Sequence, residues 1–297
     1  MAERAAPSTL QPAFLTTREM ADLLRVRERR VYDLAAAGEV PCSRVTGKLL
    51  FPREAIEAWL RESWEGGPGA RPRPAVVLGS HDPLLDWALR ESGSGLAAYV
   101  DGSRDGLARF EAREGVATGL HLFDAASGDW NRPFVEQAGR GAVLVGFCRR
   151  RRGLIVPRET DAPSALADLA GRRVVRRQEA SGAEALFRHL CAEAGLDPDA
   201  RDPAAVARTE ADAALAVAEG RAEAAFGLEA LARPFGLGFH PLVEEPFDLL
   251  VDRAAWFEAP MQRLTAFCAS PAFAERANAL AGYDVAEFGL VRWNAPD

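Results

Sequence analysis

Residues 172–187, RRVVRRQEASGAEALF, read as a short strand, a polar turn and the first turns of a helix. Strand and helix meet at Ser181-Gly182. There a hydroxyl at the N-cap, the free backbone N–H groups behind it and the positive end of the helix dipole face outward together. Such a turn can receive a small anion or polar ligand, and it can equally be an ordinary helix cap. Two further passages, Gly79-Ser80-His81-Asp82 and Asp101-Gly102-Ser103, repeat the same chemistry and make the pattern more than a single cap.

The chain of 297 residues is 48% hydrophobic and 27% charged, which is ordinary globular composition with room for two or three cores. Its net charge of −7 is uneven. Residues 1–74 hold 12 Arg and Lys against 10 Asp and Glu, whereas the remainder holds 24 against 33, so a mildly basic head precedes an acidic body. Cys42, Cys148, Cys191 and Cys268 follow neither a CxxC nor a metal-ligand spacing, so packed reduced thiols are expected and no metal site. No apolar run reaches membrane-spanning length, and Met1 to Gln11 lacks a signal-peptide core; a cytoplasmic protein without membrane contact is expected.

After a leader (1–13) expected to be disordered, Thr17 is expected to cap a helix whose apolar face is Met20, Leu23 and Leu24. A second helix, about Arg27 to Ala37, buries Val31, Leu34 and Ala35 and stops at Gly38. Val40 to Phe51 reads as a hairpin with Gly47-Lys48 at its tip, and Pro52 opens a third helix, Arg53 to Glu62. Helix, helix, hairpin, helix is a winged helix-turn-helix, mainly α, over residues 14–63. Leu15 to Leu60, LTTREMADLLRVRERRVYDLAAAGEVPCSRVTGKLLFPREAIEAWL, resembles the excisionase and MerR-type DNA-binding domain. The resemblance implies that Arg27, Arg29, Arg30 and Tyr32 lie in or beside the major groove of an operator, with Arg44 and Lys48 on backbone phosphates. A homodimer on a two-part site is the natural expectation, because one such domain reads few base pairs.

Gly and Pro crowd residues 64–74, which read as a linker. From Ala75 onward, strands alternate with helices, the signature of parallel sheet with ligands at the carboxyl ends of strands. Glu114 to Gly119 and Glu219 to Ala224 both read as a helix, a Gly stop and a small-residue strand, as two similar lobes would. Ala142 to Pro157 reads as two strands flanking a turn at Arg149–Arg152, and Leu242 to Val251 as an apolar return; these are the expected crossovers. Lobe 1 is then about 75–150 with 245–297, and lobe 2 about 151–244.

The stretches GSHDPLLDWAL, DGSRDGLARFEAREGVATGLHLFDAASGDWN, RQEASGAEALF and SPAFAERANALAGYDV together resemble the α/β two-lobed periplasmic-binding-protein-like (type II) domain related to molybdate-binding proteins. That resemblance implies a cleft closing on a small oxyanion, molybdate or tungstate, and a one-component transcriptional regulator rather than an enzyme. Ser80, Ser103, Ser181 and Gly182 suit such an anion because a desolvated dianion is met by neutral donors; Arg177 and Gln178 precede the third turn and can reach inward. His81, Asp82 and His121 complete the expected ligand set, although carboxylates near a dianion fit better a ligand that also carries hydrogen-bond donors. Ser80-His81-Asp82 is no catalytic triad, since adjacent side chains point apart, and no dinucleotide turn or phosphate-binding loop is present, so neither a catalytic residue nor a cofactor is expected. The alternative is an enzyme or binding protein for a molybdenum-cofactor-related metabolite whose N-terminal module docks another protein.

Overall fold

The computed structural model describes residues 13–44, 47–62, 72–138, 141–158, 161–179 and 181–296. The expected leader, apart from Ala13, and most of the expected linker lie outside them. Two compact units divide between Pro72 and Arg73.

In the first unit, β1 (Phe14–Thr16) leads into α1 (Thr17–Leu24), and α2 (Glu28–Ala37) follows. The cap of α1 is Thr16, one residue earlier than expected. Its hydroxyl accepts the Glu19 N–H while the Glu19 carboxylate takes the Thr16 N–H at 2.8 Å, so this reciprocal pair fixes the start. Leu23 is 46% exposed, and Thr17, Met20 and Ala21 form the buried face instead. Gly38 ends α2 at φ 73, a left-handed conformation. The expected hairpin is reduced to a single antiparallel bridge, and its second half gains a further partner. β2 (Leu50–Pro52) lies antiparallel to β1, and the wing is one bridge, Ser43 to Leu50, with its turn at Gly47. Leu50 and Phe51 thus serve a non-local strand that closes the core of Leu15, Met20, Val31, Phe51 and Ile56, under α3 (Arg53–Glu62).

The second unit is a mixed sheet of ten strands with helices on it. Its chain order is β3 (Val76–Gly79), α4 (Pro83–Glu91), β4 (Ala97–Val100), α5 (Ser103–Glu111), β5 (Ala117–Leu120), α6 (Arg132–Ala138), β6 (Ala142–Val156), β7 (Arg173–Arg177), α7 (Gly182–Glu193), β8 (Asp202–Ala207), α8 (Glu210–Ala218), β9 (Ala224–Leu228), α9 (Glu229–Ala232), β10 (Gly238–Asp252), α10 (Arg253–Trp256), α11 (Ala259–Cys268), α12 (Pro271–Ala279), β11 (Tyr283–Asp284) and β12 (Val291–Asn294). The strand order β4-β3-β5-β10-β6-β9-β7-β8 places a parallel group at each end and two long antiparallel strands, β6 and β10, between them.

β6 corrects the sequence reading. Residues 142–156 are one strand, and Arg149–Arg152 is not a turn. Side chains alternate along a strand, so four consecutive arginines divide into two inward and two outward. Arg150 and Arg152 are 1% and 0% exposed, while Arg149 and Arg151 reach outward to Glu287 and Glu229. The register answers the charge: Glu244 and Glu245 of β10 lie opposite Arg151 and Arg150. Both strands change partners near this level, since β10 pairs with β5 through residues 248–251 and β6 with β9 through 152–155. Separate apolar cores flank it, one around Leu84, Phe147, Phe247 and Phe273, another around Val174, Leu186, Phe187 and Phe226.

Candidate functional site

Three helices begin at one cavity. Gly102 precedes α5 without a side-chain cap, Ser181 caps α7, and Thr209 caps α8. Residues from all three starts line a cavity of about 40 Å³, together with Ser80, His81, His121, Arg177 and Gln178. Each helix start contributes backbone N–H groups without helical partners and the positive end of its dipole. Three such ends turn positive dipole ends toward one small space, whose lining also includes the acidic residues Asp101 and Glu210. One water needs about 10–15 Å³, so the cavity has room for roughly three waters.

Close backbone approach positions these parts. A Cβ on Gly106 of α5 would lie 2.2 Å from the Cα of Gly79, so only glycine lets α5 seat on the end of β3. Ser80 and Ser103 consequently meet, Oγ to Oγ, at 2.7 Å, and the Ser103 Oγ accepts the His121 N–H at 3.1 Å. From the other group of strands, Gly182 comes so near His121 that an added Cβ would stand 2.9 Å from the His121 carbonyl oxygen. Asn131, buried at φ 53, accepts the Leu122 N–H and donates to Asp248. It anchors the excursion whose Phe123 ring packs on Trp130 and, at 4.6 Å, on His189 of α7.

Beneath the cavity runs a chain of buried ion pairs. Asp82 meets Arg150 at 2.8 Å; Arg150 meets Glu245; Arg152 joins Glu245 at 2.9 Å to Glu210 at 3.0 Å; Arg177 meets Glu210 at 2.7 Å. Tyr283 donates to Asp82 at 2.6 Å. Burial would raise the carboxyl of Glu210, but Arg152 and Arg177 outweigh it and hold the group far below the usual carboxylate range. Glu245 is likewise opposed by burial, and Arg150, Arg152 and His121 hold it well below. His121 is pushed down by burial more than Glu245 raises it, so its ring is neutral near neutral pH.

Residues 86–269 match the family model described as a PBP superfamily domain. The chain belongs to that superfamily. Residues 14–63 match a helix-turn-helix domain of the excisionase-like kind. The uncharacterized protein YvgK of Bacillus subtilis is 26% identical over 270 residues, covering 80% of this chain and 84% of YvgK. Among solved structures, a phosphate ABC transporter substrate-binding protein of Clostridium perfringens with bound phosphate is 12% identical with TM-score 0.54, covering 71% of this chain and 98% of its own. A tungstate ABC transporter structure from Geobacter sulfurreducens is 15% identical with TM-score 0.49, covering 67% and 95%. These likenesses concern the fold.

The PBP domain brings most of the expected ligand residues together. Ser80, His81, His121, Arg177, Gln178, Ser181 and Gly182 line the one cavity, and Ser103 stands directly behind Ser80. Asp82 does not line it. One of its oxygens caps α4 through Leu84 and Leu85, and the other is taken by Arg150 and Tyr283. Arg177 faces the cavity but is pinned, donating to the carbonyls of Ala207 and Arg208 besides meeting Glu210. Sequence reading missed Thr209 and Glu210. The signal was present in Thr209-x-x-Asp212, a capping box opening an apolar helix, the same chemistry as Ser181. The buried chain of ion pairs was also missed because it joins residues up to 163 positions apart.

In the helix-turn-helix unit, Arg27 occupies the N-cap of α2, and Arg29, Arg30 and Tyr32 are exposed on it. Tyr32, Arg44 and Lys48 line an open cleft of about 490 Å³ beside the start of α1, with Thr16 and Arg18. No helix among the described residues is long and apolar enough to cross a membrane, and no cluster of three metal-ligating side chains occurs among them.

Proposed function

We propose that the protein is a cytoplasmic, ligand-responsive transcriptional regulator. Its helix-turn-helix domain binds operator DNA, with Arg27, Arg29, Arg30 and Tyr32 toward the groove and Arg44 and Lys48 toward phosphates. Its PBP domain senses a small tetrahedral oxyanion, the class that includes molybdate, tungstate, sulfate and phosphate. The observation that carries this reading is the meeting of three helix N-termini at a cavity of about 40 Å³. The neutral donors suit a dianion held by dipoles. A homodimer on a two-part operator completes the proposal. Regulation follows if the anion prefers closed lobes and DNA prefers one arrangement of the dimer, since the two equilibria are then linked.

The test divides the labour. Calorimetric titration with these oxyanions should show binding to the wild type that is weakened at least about tenfold in Ser181→Ala. Operator affinity, measured by gel shift on a sequence selected from random duplexes, should be spared in that variant and lost in Arg30→Ala, which binds anion normally. The wild-type DNA complex should weaken steeply with salt. Equal loss of both activities in either variant would refute the division.

A further inference from the structure

We infer that β4 is a dimer interface, its outer edge pairing antiparallel with β4 of a second copy of this chain about a twofold axis at Tyr99. The inference deepens the regulator reading above and rests on it for the choice of a second copy as the occupant.

β4 ends the sheet and pairs with β3 alone. Strands of parallel sheet are ordinarily covered on both faces. All four residues of β4 are instead exposed, Tyr99 and Val100 at 45% and 43%. Alternation puts Ala97 and Tyr99 on one face and Ala98 and Val100 on the other, so both faces present apolar groups. The following helix, α5, seats chiefly on β3 and β5. Natural sheet edges are blunted by charge, proline or a bulge. β8, at the other end of the sheet, contains Pro203 and a register shift, and β12 contains Arg292 and another. β4 carries none of these devices.

The backbone supplies the register. Ala97 donates to the Ala75 carbonyl and Asp101 to that of Gly79, so the odd-numbered residues face β3. The N–H and C=O groups of Ala98 and Val100 therefore point off the sheet, and no described residue takes them. On either side, Leu96 gives its N–H to the Ser94 hydroxyl and Gly102 gives its own to the Gly79 carbonyl. Setting Ala98 opposite Val100 of an antiparallel copy is thus the register in which the free groups of this edge all find partners. Tyr99 then faces its own copy, and the contact closes on itself. Arg109, 4.5 Å over the Tyr99 ring, is answered by Asp105 and Glu114, so no unpaired like charges meet there. Val100, Asp101 and Gly102 also line the cleft. The strand that joins two copies therefore ends in the ligand cavity, and ligand and dimer bear on the same residues.

The experiment is sedimentation of the full chain over about 1–100 μM, where the wild type should form a dimer. Ala98→Pro removes an outward N–H, which an edge strand tolerates, and leaves the bonds of β4 to β3 in place. Its dimer should be at least about tenfold weaker. A wild type that stays monomeric, or an Ala98→Pro dimer as tight as the wild type, overturns the inference. If that variant does not fold, cross-linking decides. Opposed Cα atoms of a non-hydrogen-bonded antiparallel pair lie about 4.5 Å apart, within disulfide reach. In a Cys42→Ser background, oxidised Tyr99→Cys should give a covalent dimer, and Val100→Cys, which faces Ala98, should not. Equal cross-linking of the two, or none at Tyr99→Cys, overturns the inference. A monomeric wild type that still selects an operator and answers to an oxyanion leaves the regulator reading standing. A dimer with the expected cross-link that selects no duplex overturns that reading and leaves the β4 pairing.

Discussion

The floor of the cleft and its walls treat charge in opposite ways. In the floor, Asp82, Arg150, Glu245, Arg152, Glu210 and Arg177 are full charges, alternating in sign, each answered by its neighbours. In the walls, Ser80, Ser181, Thr209 and the helix starts are neutral dipoles, with the charged Asp101 and Arg208 beside them on the lining of the same cavity. Satisfied charges fix how strands cross, because an unanswered charge inside a protein is costly. Open dipoles suit recognition, because they attract an anion without first having to release a counter-ion. Arg177 and Glu210 belong to both regions, so the floor can hold the walls in register.

The contrast is sharpest under mutation. Glu245→Gln keeps the shape of the floor but leaves Arg150 and Arg152 with one carboxylate too few. A loss of about 3–5 kcal/mol in urea unfolding is expected, and a loss below about 1 kcal/mol would mean the floor is not an electrostatic unit. Acid should give a smaller effect per step, with a defined sign. Glu210 and Glu245 have depressed folded pKa values, so their contribution is complete above the unfolded value of about 4.3 and is lost as pH falls below it. His121, neutral when folded, adds an earlier decline beginning near the unfolded value of about 6.5. Stability should therefore fall by up to about 1.4 kcal/mol per pH unit for each group within its own window, and a flat profile from neutral to acid pH would contradict the assignment.

What could be read from the chain follows the range of the interactions. Helix caps are local, and Ser80, Ser103 and Ser181 were visible because a hydroxyl before a helix depends on only a few neighbours. Thr209 was equally local and was passed over. Pairing is not local. Phe14–Thr16 joins Leu50–Pro52 across 33 residues, and nothing near either triplet announces it. Arg149–Arg152 was read as a turn because four arginines look like surface. Only the opposing Glu244-Glu245, about 90 residues later, turns that run into the centre of a sheet. Asp82 shows the same limit, since its cap was legible and its partners Arg150 and Tyr283 were not.

Gly182 offers the most direct test of the central claim, that an anion held across this cleft governs the DNA-binding head. A side chain there must push against the His121 carbonyl and so holds the walls apart. Operator affinity should be measured by fluorescence anisotropy for the wild type and Gly182→Val, with and without saturating oxyanion. The wild type should shift at least about fivefold with anion, while Gly182→Val keeps the anion-free affinity and shows no shift. An undiminished anion response in Gly182→Val, or none in the wild type, would contradict the account.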